Sequence, residues 1–376
     1  MIEKPKGSLI SFFSTKAKLL GGINLAQGIP FFSPPKELLY NLSKISKNKN
    51  YHQYPSGKGI KELITHIKNH YNEYYQINCN EENILILHGA TEALSLIYIY
   101  LKNKYKNLNV LCLDPAYEVY VNLVKIFNDN LFTINYVNFL DFESLKKEVI
   151  NKKINLIFIN SPGNPYGKVF TKQEMEEFFN ISKELNVNLV IDAVYRELFF
   201  WDKPFIPIDL ANENLFYVNS FSKIYSITGW RVGYVISSAE NISNLQAIHD
   251  YTGLCVVHPM QIAISNYIKE NGFISNYVLE LREKIKKSYI YFFNEIQKLG
   301  FEPISSDGGY FILAKLPKKF DDGFLFALNL FEKEKVAVVP AENFSPNFLN
   351  YVRFNIAMPI NTLKKAISHI KRFVFF

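Results

Sequence analysis

The stretch LFYVNSFSKIYSITGWRVGYVI, residues 215–236, places one lysine between two apolar runs. The runs, Leu215 to Val218 and Val232 to Ile236, are short and continuous, which is typical of buried strands. After the first run come two serines and Lys223, and Arg231 lies eight residues after the lysine. Burial and a neighbouring cation both favour the neutral, nucleophilic form of a lysine amine. The pattern makes Lys223 a candidate catalytic residue, whereas most lysines are solvated surface charges.

This stretch ends a regular alternation of apolar runs and amphipathic segments that begins at residue 84. Such alternation predicts a mostly parallel sheet covered by helices on both faces. We expect helices at 91–102, 117–127, 142–151 and 172–186, and seven strands at 84–87, 110–113, 132–139, 155–159, 189–191, 215–218 and 232–236. The expected fold class is therefore α/β, with a seven-stranded sheet sandwiched between helices.

A second, smaller α/β unit is predicted after a long helical pattern at about 275–299, which is long enough to connect two domains. In it we expect helices at 324–334 and 362–373 and strands at 310–314, 336–339 and 351–356. The glycines and prolines of residues 1–35 predict an irregular arm that forms part of this small domain. The predicted division is thus an arm at 1–35, a large domain at 36–270 and a small C-terminal domain at 271–376.

The composition of the 376-residue chain argues against several classes of function. Its net charge of +7 comes from scattered lysines, so we predict no nucleic-acid partner. The three cysteines are widely spaced and the seven histidines lack metal-ligand spacing, so we expect neither disulfides nor a metal. The N-terminus lacks a signal-peptide core, and no apolar run is long enough to span a bilayer. These features predict a soluble cytoplasmic protein without a membrane partner.

Polar residues follow five of the apolar runs, at the points where the expected strands end. Ligands of open α/β sheets bind at the carboxyl ends of the strands. Each segment alone could be an ordinary turn or cap, but five at one sheet edge predict a binding site. The segments are Gly89–Glu92, Asp114–Tyr117, Asn160–Gly167, Asp192–Tyr195 and Ser220–Lys223.

In this order, the motifs resemble those of the pyridoxal-phosphate aminotransferases of fold type I, classes I and II. The resemblance covers essentially the whole chain and implies pyridoxal 5'-phosphate as cofactor. It is greatest to kynurenine/glutamine and bacterial methionine aminotransferases, through Leu25–Pro30 and Thr228–Tyr234. It rests also on Gly89-Ala90-Thr91-Glu92-Ala93, Asn160-x-Pro-x-Asn164-Pro165-x-Gly167, Asp192-x-x-Tyr195, Ser220-x-Ser222-Lys223 with Arg231, and Arg353.

The resemblance implies a role for each residue that would face the cofactor ring. Lys223 would hold the cofactor aldehyde as a Schiff base and later move a proton. Asp192 would pair with the pyridine nitrogen, and a buried carboxylate needs such a partner. Asn164 and Tyr195 would hydrogen-bond the phenolic oxygen of the ring, and Tyr117 would stack on the ring.

The resemblance also implies a phosphate cradle. Its backbone part would be the N–H groups of Ala90 and Thr91 at a helix N-terminus. Ser220 and Ser222 would complete it together with Arg231, whose guanidinium can pair with two phosphate oxygens.

Substrate and partner contacts follow from the same resemblance. Gly28, Asn164 and Arg353 would bind the substrate, and Arg353 would clamp its α-carboxylate. An ordinary strand arginine is the alternative interpretation of Arg353. Tyr54 would reach the phosphate in the neighbouring subunit, which implies a homodimer with shared active sites.

The predicted activity is transfer of an amino group from an L-amino acid to a 2-oxo acid by a ping-pong mechanism. Aromatic residues expected near the mouth of the site, Phe12, Phe13, Phe31, Phe32 and Tyr117, favour a neutral, hydrophobic or sulfur-containing side chain. Two alternatives stay open: a β-eliminating carbon–sulfur lyase that uses the same cofactor, and a regulatory binding protein that shares the fold.

Overall fold

The computed structural model describes residues 4–137, 140–207 and 209–375, and these contain thirteen α-helices and thirteen strands. The first part of the chain forms α1 (Leu9–Leu20), β1 (Ile23–Asn24), α2 (Lys36–Ile45), α3 (Lys61–Asn69), β2 (Ile84–Leu87), α4 (Ala90–Lys104), β3 (Asn109–Asp114), α5 (Glu118–Ile126), β4 (Asn130–Asn135), α6 (Phe142–Asn151), β5 (Leu156–Asn160), α7 (Lys172–Leu185), β6 (Asn188–Asp192), β7 (Leu215–Ser220), α8 (Phe221–Ile224), β8 (Gly233–Ile236), α9 (Ala239–Thr252) and α10 (His258–Asn271). The remainder forms α11 (Asn276–Lys298), β9 (Glu302–Pro303), β10 (Phe311–Lys315), α12 (Gly323–Glu334), β11 (Val336–Ala337), β12 (Val339–Pro340), β13 (Tyr351–Asn355) and α13 (Ile360–Phe375).

The large sheet has seven strands in the order β2-β8-β7-β6-β5-β3-β4. Neighbours from β7 to β4 run parallel, and β8 runs antiparallel to both β2 and β7. Strands β2, β5, β6, β7 and β8 are buried along their whole length, as expected for continuous apolar runs covered on both faces. The predicted fold class is therefore confirmed. Of the strand expected at 132–139, positions 138–139 lie outside the described residues.

The small sheet is antiparallel and has the order β12-β13-β10-β9. A separate parallel pair joins β1, near the start of the chain, to β11. The prediction of one strand over 336–339 is wrong, because this segment supplies two short strands to two different sheets. It changes sheets at Val338, which is itself fully buried.

The expectation that residues 1–35 are irregular is wrong over α1. The side chain of Ser8 caps this helix by accepting a hydrogen bond from the backbone N–H of Ser11 at 3.3 Å. Leu9, Phe13 and Ala17 recur every four residues and are buried on one face. Phe13 packs edge-on against Phe324 of α12, so the helix is stabilised by the small sheet's own helical layer.

No helix in the ranges that the structure describes is both long and apolar enough to cross a membrane.

Candidate active site

A cavity of about 300 Å³ lies at the carboxyl ends of the parallel strands. Register explains part of its composition, since Asn160 ends β5 opposite Asp192 at the end of β6, and Ser220 ends the adjacent β7. All but one of the residues expected to bind the cofactor or the substrate backbone line this cavity; they are Gly28, Ala90, Thr91, Tyr117, Asn164, Asp192, Tyr195, Ser220, Ser222, Lys223, Arg231 and Arg353. The exception is Tyr54, which is 82% exposed on the surface.

Lys223 lies in α8, a single turn that follows β7 directly. Its Nζ donates a hydrogen bond to the backbone carbonyl of Gly28 at 2.7 Å. Nζ also lies 5.5 Å from the ring centroid of Tyr195. Burial and the nearby Arg231 lower the pKa of Lys223 to about 8, against the opposing effect of Asp192. About a tenth of this amine is therefore a free nucleophile at pH 7, far more than for a solvated lysine.

Asp192 is a buried carboxylic acid with no cationic side chain among its hydrogen-bond partners in the described residues. Its Oδ2 accepts from the hydroxyl of Tyr120 at 2.7 Å, and its Oδ1 accepts from the backbone N–H of Val194 at 3.3 Å. Burial raises the pKa of Asp192 to about 6, although these hydrogen bonds and Lys223 oppose the rise. A cationic partner would stabilise this carboxylate strongly.

Arg353 is fully buried in β13 and lies between two aromatic rings. Its guanidinium carbon is 4.0 Å from the centroid of Phe311 and 4.8 Å from that of Phe344. One Nη donates to Asn164 Oδ1 at 2.7 Å and the other to the carbonyl of Ala26 at 2.5 Å. Burial lowers the pKa of Arg353 to about 10. Within the described parts of the chain its Nε has no hydrogen-bond partner, so a buried donor is left unpaired.

Arg231 lies beside the N-terminus of α4. Its two Nη atoms donate to the carbonyls of Thr228 and His88, each at 3.1 Å. Its own backbone is in the left-handed region, with a φ of 55°, which a non-glycine residue adopts only at a cost. Gly89 has a φ of 78°, and a Cβ there would lie 2.6 Å from Arg231 Nη2. The backbone of α4 and the guanidinium thus approach as closely as a glycine allows.

Two serines complete this end of the cavity. Ser220 Oγ accepts from the backbone N–H of Ser222 at 3.1 Å and lies 2.8 Å from Ser222 Oγ. The helix N-terminus, the guanidinium and these hydroxyls together form a donor-rich corner suited to a phosphate or similar anion.

Tyr117 and Tyr195 lie on the walls of the same cavity. Burial raises the pKa of Tyr117 to about 12 and raises that of Tyr195 further, so both hydroxyls stay protonated at neutral pH. Tyr195 packs edge-on against Tyr310 and Phe311, which holds its ring in place.

Several functional contacts were missed in the sequence. Tyr120 could have been found, because it lies three residues after Tyr117 at the start of the same helix. Tyr310, whose hydroxyl donates to the carbonyl of Lys223 at 2.7 Å, carried no such signal, since the contact depends on the docking of the small sheet. Glu118 was also missed; it lines the cavity and accepts from Ser8 Oγ at 2.8 Å.

No group of three or more histidine, cysteine, aspartate or glutamate side chains is placed to hold a metal ion within the part of the chain that the structure describes.

Comparison with known proteins gives a consistent result. The family model described as aminotransferase class I and II matches residues 21–370. A relative from Methanocaldococcus jannaschii, named "Probable aspartate aminotransferase", is 31% identical over 358 residues and covers 93% of this chain and 92% of its own. A Saccharomyces cerevisiae relative named a probable kynurenine–oxoglutarate transaminase is 26% identical, over 93% of this chain and 86% of its own. The solved structure of N-succinyldiaminopimelate aminotransferase from Mycobacterium tuberculosis matches with a TM-score of 0.89 and 25% identity, over 98% of this chain and 97% of that one.

Proposed function

The chain belongs to the class I and II aminotransferases, and we propose that it moves an amino group from an L-amino acid with a neutral side chain, hydrophobic or sulfur-containing, to a 2-oxo acid in a ping-pong cycle. The observation that carries the proposal is one cavity that holds a lysine of lowered pKa, a buried acid and a buried arginine with a free donor. The chain is thus a pyridoxal-phosphate-dependent transaminase in its general activity, and its substrate is what is proposed.

The residues present fit the cofactor of this family. The donor-rich corner at α4 suits a phosphate, and Lys223 supplies the amine that an aldehyde requires. Burial raises the pKa of Asp192, and no cationic side chain of the described residues hydrogen-bonds to it. A protonated pyridine nitrogen would supply the cation that stabilises its ionised form. When bound, pyridoxal phosphate supplies an aldehyde that takes up amines and a ring that withdraws electrons from them.

We assign the holding of the ring to side chains at or after the ends of three strands, β3, β5 and β6. Asp192 would hold the ring nitrogen, and Asn164 and Tyr195 would hydrogen-bond the phenolic oxygen. Tyr117 would cover one face of the ring, while the backbone N–H groups of Ala90 and Thr91 would bind the phosphate.

The proton that must leave the substrate Cα would be taken by Lys223. Its amine is suited to this work because its pKa of about 8 lies close to neutral pH, where a base can both accept and return a proton. The carbonyl of Gly28, which accepts from Nζ, would keep the amine aimed into the cavity.

Arg353 is the residue that we propose for the substrate α-carboxylate. Asn164 and Ala26 already fix its two Nη atoms, and the rings of Phe311 and Phe344 hold its plane. A carboxylate would satisfy the buried Nε, which has no hydrogen-bond partner among the described residues.

The charge of the cavity supports a neutral substrate side chain. Lys223, Arg231 and Arg353 are the cations among the described lining residues, and each already has an assigned task. Glu118 adds a negative charge to the same wall, and it would repel a second carboxylate on the substrate. Apolar lining includes Ile10 and Ile29.

The five aromatic residues that were expected near the mouth of the site contribute less to the cavity lining than expected. Phe13 is fully buried against α12, so it does not form the mouth of the site. Of the five, only Tyr117 lines the cavity. The proposed preference therefore rests on charge and on the two isoleucines rather than on the phenylalanines.

A panel of amino donors and 2-oxo acids tests the proposal. Methionine, phenylalanine, glutamine or kynurenine should yield a new amino acid at least about tenfold faster than aspartate, because aspartate would leave a charge unpaired beside Glu118. Glu118→Gln should reduce the difference in rate between these donors and aspartate. Preference for aspartate would refute the side-chain class, and release of ammonia and pyruvate from cysteine conjugates without transamination would favour the lyase.

Lys223→Ala is the control for the site itself. It should remove both activity and the visible chromophore that borohydride fixes to the protein, since no other lysine lines the described cavity. A surviving fixed chromophore would place the reactive amine elsewhere.

We also propose a cytoplasmic homodimer whose sites are shared. Four exposed side chains support a second copy as partner; they are Tyr54 at 82%, Tyr251 at 94%, Leu254 at 49% and Val257 at 45%. They belong to one surface, because the loop that carries Tyr54 packs against the α9–α10 junction, with His258 Nδ1 3.1 Å from the carbonyl of Gln53. We call these four residues the α9–α10 surface. From it, Tyr54 would reach the phosphate in the other subunit.

A further inference from the structure

A carboxylate lies behind the donor-rich corner without lining the cavity. Glu92, in the first turn of α4, accepts a hydrogen bond from the backbone N–H of His88. It accepts a second one from His249 Nδ1 of α9 at 3.2 Å. The carbonyl of the same His88 accepts from Arg231 Nη2 at 3.1 Å. One peptide segment therefore links Glu92 to the guanidinium.

Tight packing leaves this linkage little freedom. His249 is fully buried, and a Cβ on Gly253 would lie 2.5 Å from Glu92 Oε1 and 2.8 Å from His249 Nδ1. On the other side, a Cβ on Gly233 would lie 2.8 Å from two backbone atoms of Gly89. The His88–Gly89 backbone is thus held between α9 and β8, and Glu92 is the side chain that accepts from its N–H group at His88.

The charge of Glu92 and its hydrogen bonds have opposite effects on the binding of a phosphate. Burial raises its pKa, but hydrogen bonds from His249 and from the His88 backbone outweigh that effect and lower the pKa overall, so the group is ionised at neutral pH. An ionised carboxylate in this turn disfavours a bound phosphate by simple repulsion. The hydrogen bonds that it accepts, in contrast, orient the backbone and the arginine that would receive the phosphate.

We propose that Glu92, supported by His249, is a positioning residue that sets the His88–Gly89 backbone and Arg231 for the cofactor phosphate. The inference rests on the proposed phosphate site. The hydrogen bonds of Glu92 must then favour phosphate binding by more than its charge disfavours it. An experiment can distinguish the two effects, because they change phosphate affinity in opposite directions.

The test compares ligands with and without a phosphate. Apoprotein carrying Glu92→Gln is titrated by calorimetry with inorganic phosphate, and by absorbance with pyridoxal 5'-phosphate and unphosphorylated pyridoxal. Loss of hydrogen bonds to a charged group should weaken both phosphate-bearing ligands by about tenfold or more. Pyridoxal affinity should stay unchanged, because Glu92 does not contact the ring cavity.

Glu174→Gln is the matched control. Glu174 likewise lies in the first turn of its helix, α7, and accepts from a backbone N–H, that of Thr171, at 2.7 Å. It is remote from the cavity lining, so its loss should leave all three affinities at wild-type values. His249→Asn should reproduce the Glu92→Gln result in weaker form.

Tighter or equal phosphate binding by Glu92→Gln would overturn the inference, as would an equal loss for pyridoxal and its phosphate. Arg231→Ala separates this outcome from failure of the site. If Arg231→Ala loses phosphate affinity and Glu92→Gln does not, only the inference is wrong. If Arg231→Ala also keeps full phosphate affinity, the proposed phosphate site is wrong.

Discussion

The acid at the end of β6 is a single residue whose buried charge lowers the folding stability of the protein unless a cationic ligand pairs with it. Asp192 is buried, and its hydrogen-bond partners are Tyr120 and the backbone N–H of Val194, which only partly replace water around an ionised carboxylate. Folding raises its pKa from 3.8 to about 6. The carboxyl therefore contributes its full stability only below its unfolded pKa, and that contribution is lost as the pH rises through about 6.

We expect Asp192→Asn to stabilise the apoprotein at pH 8 by about 1–3 kcal/mol, because the variant removes a buried charge and keeps an acceptor for Tyr120. The gain should shrink at pH 5, where the wild-type group is largely protonated. Denaturant unfolding at both pH values measures it. The same variant should bind pyridoxal phosphate more weakly, and a variant that is destabilised equally at both pH values would contradict the argument.

At the residue scale, candidate site residues could be named from the sequence, whereas the contacts that surround them could not. Lys223 and Asp192 could be named from their residue types at strand ends, and Arg353 was named through the resemblance to the family. Tyr310 and Phe344 could not, since they act on Lys223 and Arg353 only through the docking of the small sheet. Long-range packing of this kind leaves no periodic trace in a single sequence.

At the scale of elements, the seven strands of the large sheet were predictable and α1 was not. Continuous apolar runs such as Ile84–Leu87 identify buried strands without any knowledge of their neighbours. The buried apolar residues of α1, in contrast, are Leu9, Phe13 and Ala17, and the neighbouring apolar Ile10 and Phe12 blur the helical period in the sequence. Its helical state depends on Phe324, far along the chain.

Phe13→Ala should therefore cost about 3–5 kcal/mol of unfolding free energy, the usual range for a buried phenylalanine. Leu19→Ala in the same helix is the control, because Leu19 is 78% exposed and its truncation should cost less than about 0.5 kcal/mol. Equilibrium unfolding in urea measures both. Equal effects of the two substitutions would mean that α1 does not pack as described.

At the scale of the molecule, we propose the division into an arm, a large domain at 36–270 and a small domain at 271–376. Separate hydrogen-bonded sheets support it, as does α11, whose 23 residues follow the large unit. The pairing of β1 with β11 supports the grouping of the arm with the small domain. Site residues come from all three parts, namely Gly28, Lys223 and Arg353.

Assembly of two copies gives a further prediction. Tyr251→Asp places a charge on the α9–α10 surface, where Tyr251 is 94% exposed and needs no partner within its own chain. We expect the variant to sediment as a monomer under conditions where the wild type is a dimer, because an unpaired charge in an interface costs several kcal/mol. Tyr40→Asp, at an exposed position of α2, should keep the wild-type mass. An unchanged mass for Tyr251→Asp would show that the α9–α10 surface is not the dimer interface.

The contacts of Arg353 also set an order of events during synthesis. Its partner Ala26 is made early, and 130 residues separate Lys223 from Arg353. At about 5–20 residues per second, a ribosome needs roughly 7–26 s to pass from the lysine to the arginine. During that interval the nascent chain carries the Lys223 amine without the arginine that we propose for the substrate carboxylate, and β10 lacks the strand that joins it to β12. A complete cavity, and with it stable cofactor uptake, thus belongs to the finished chain and not to the growing one.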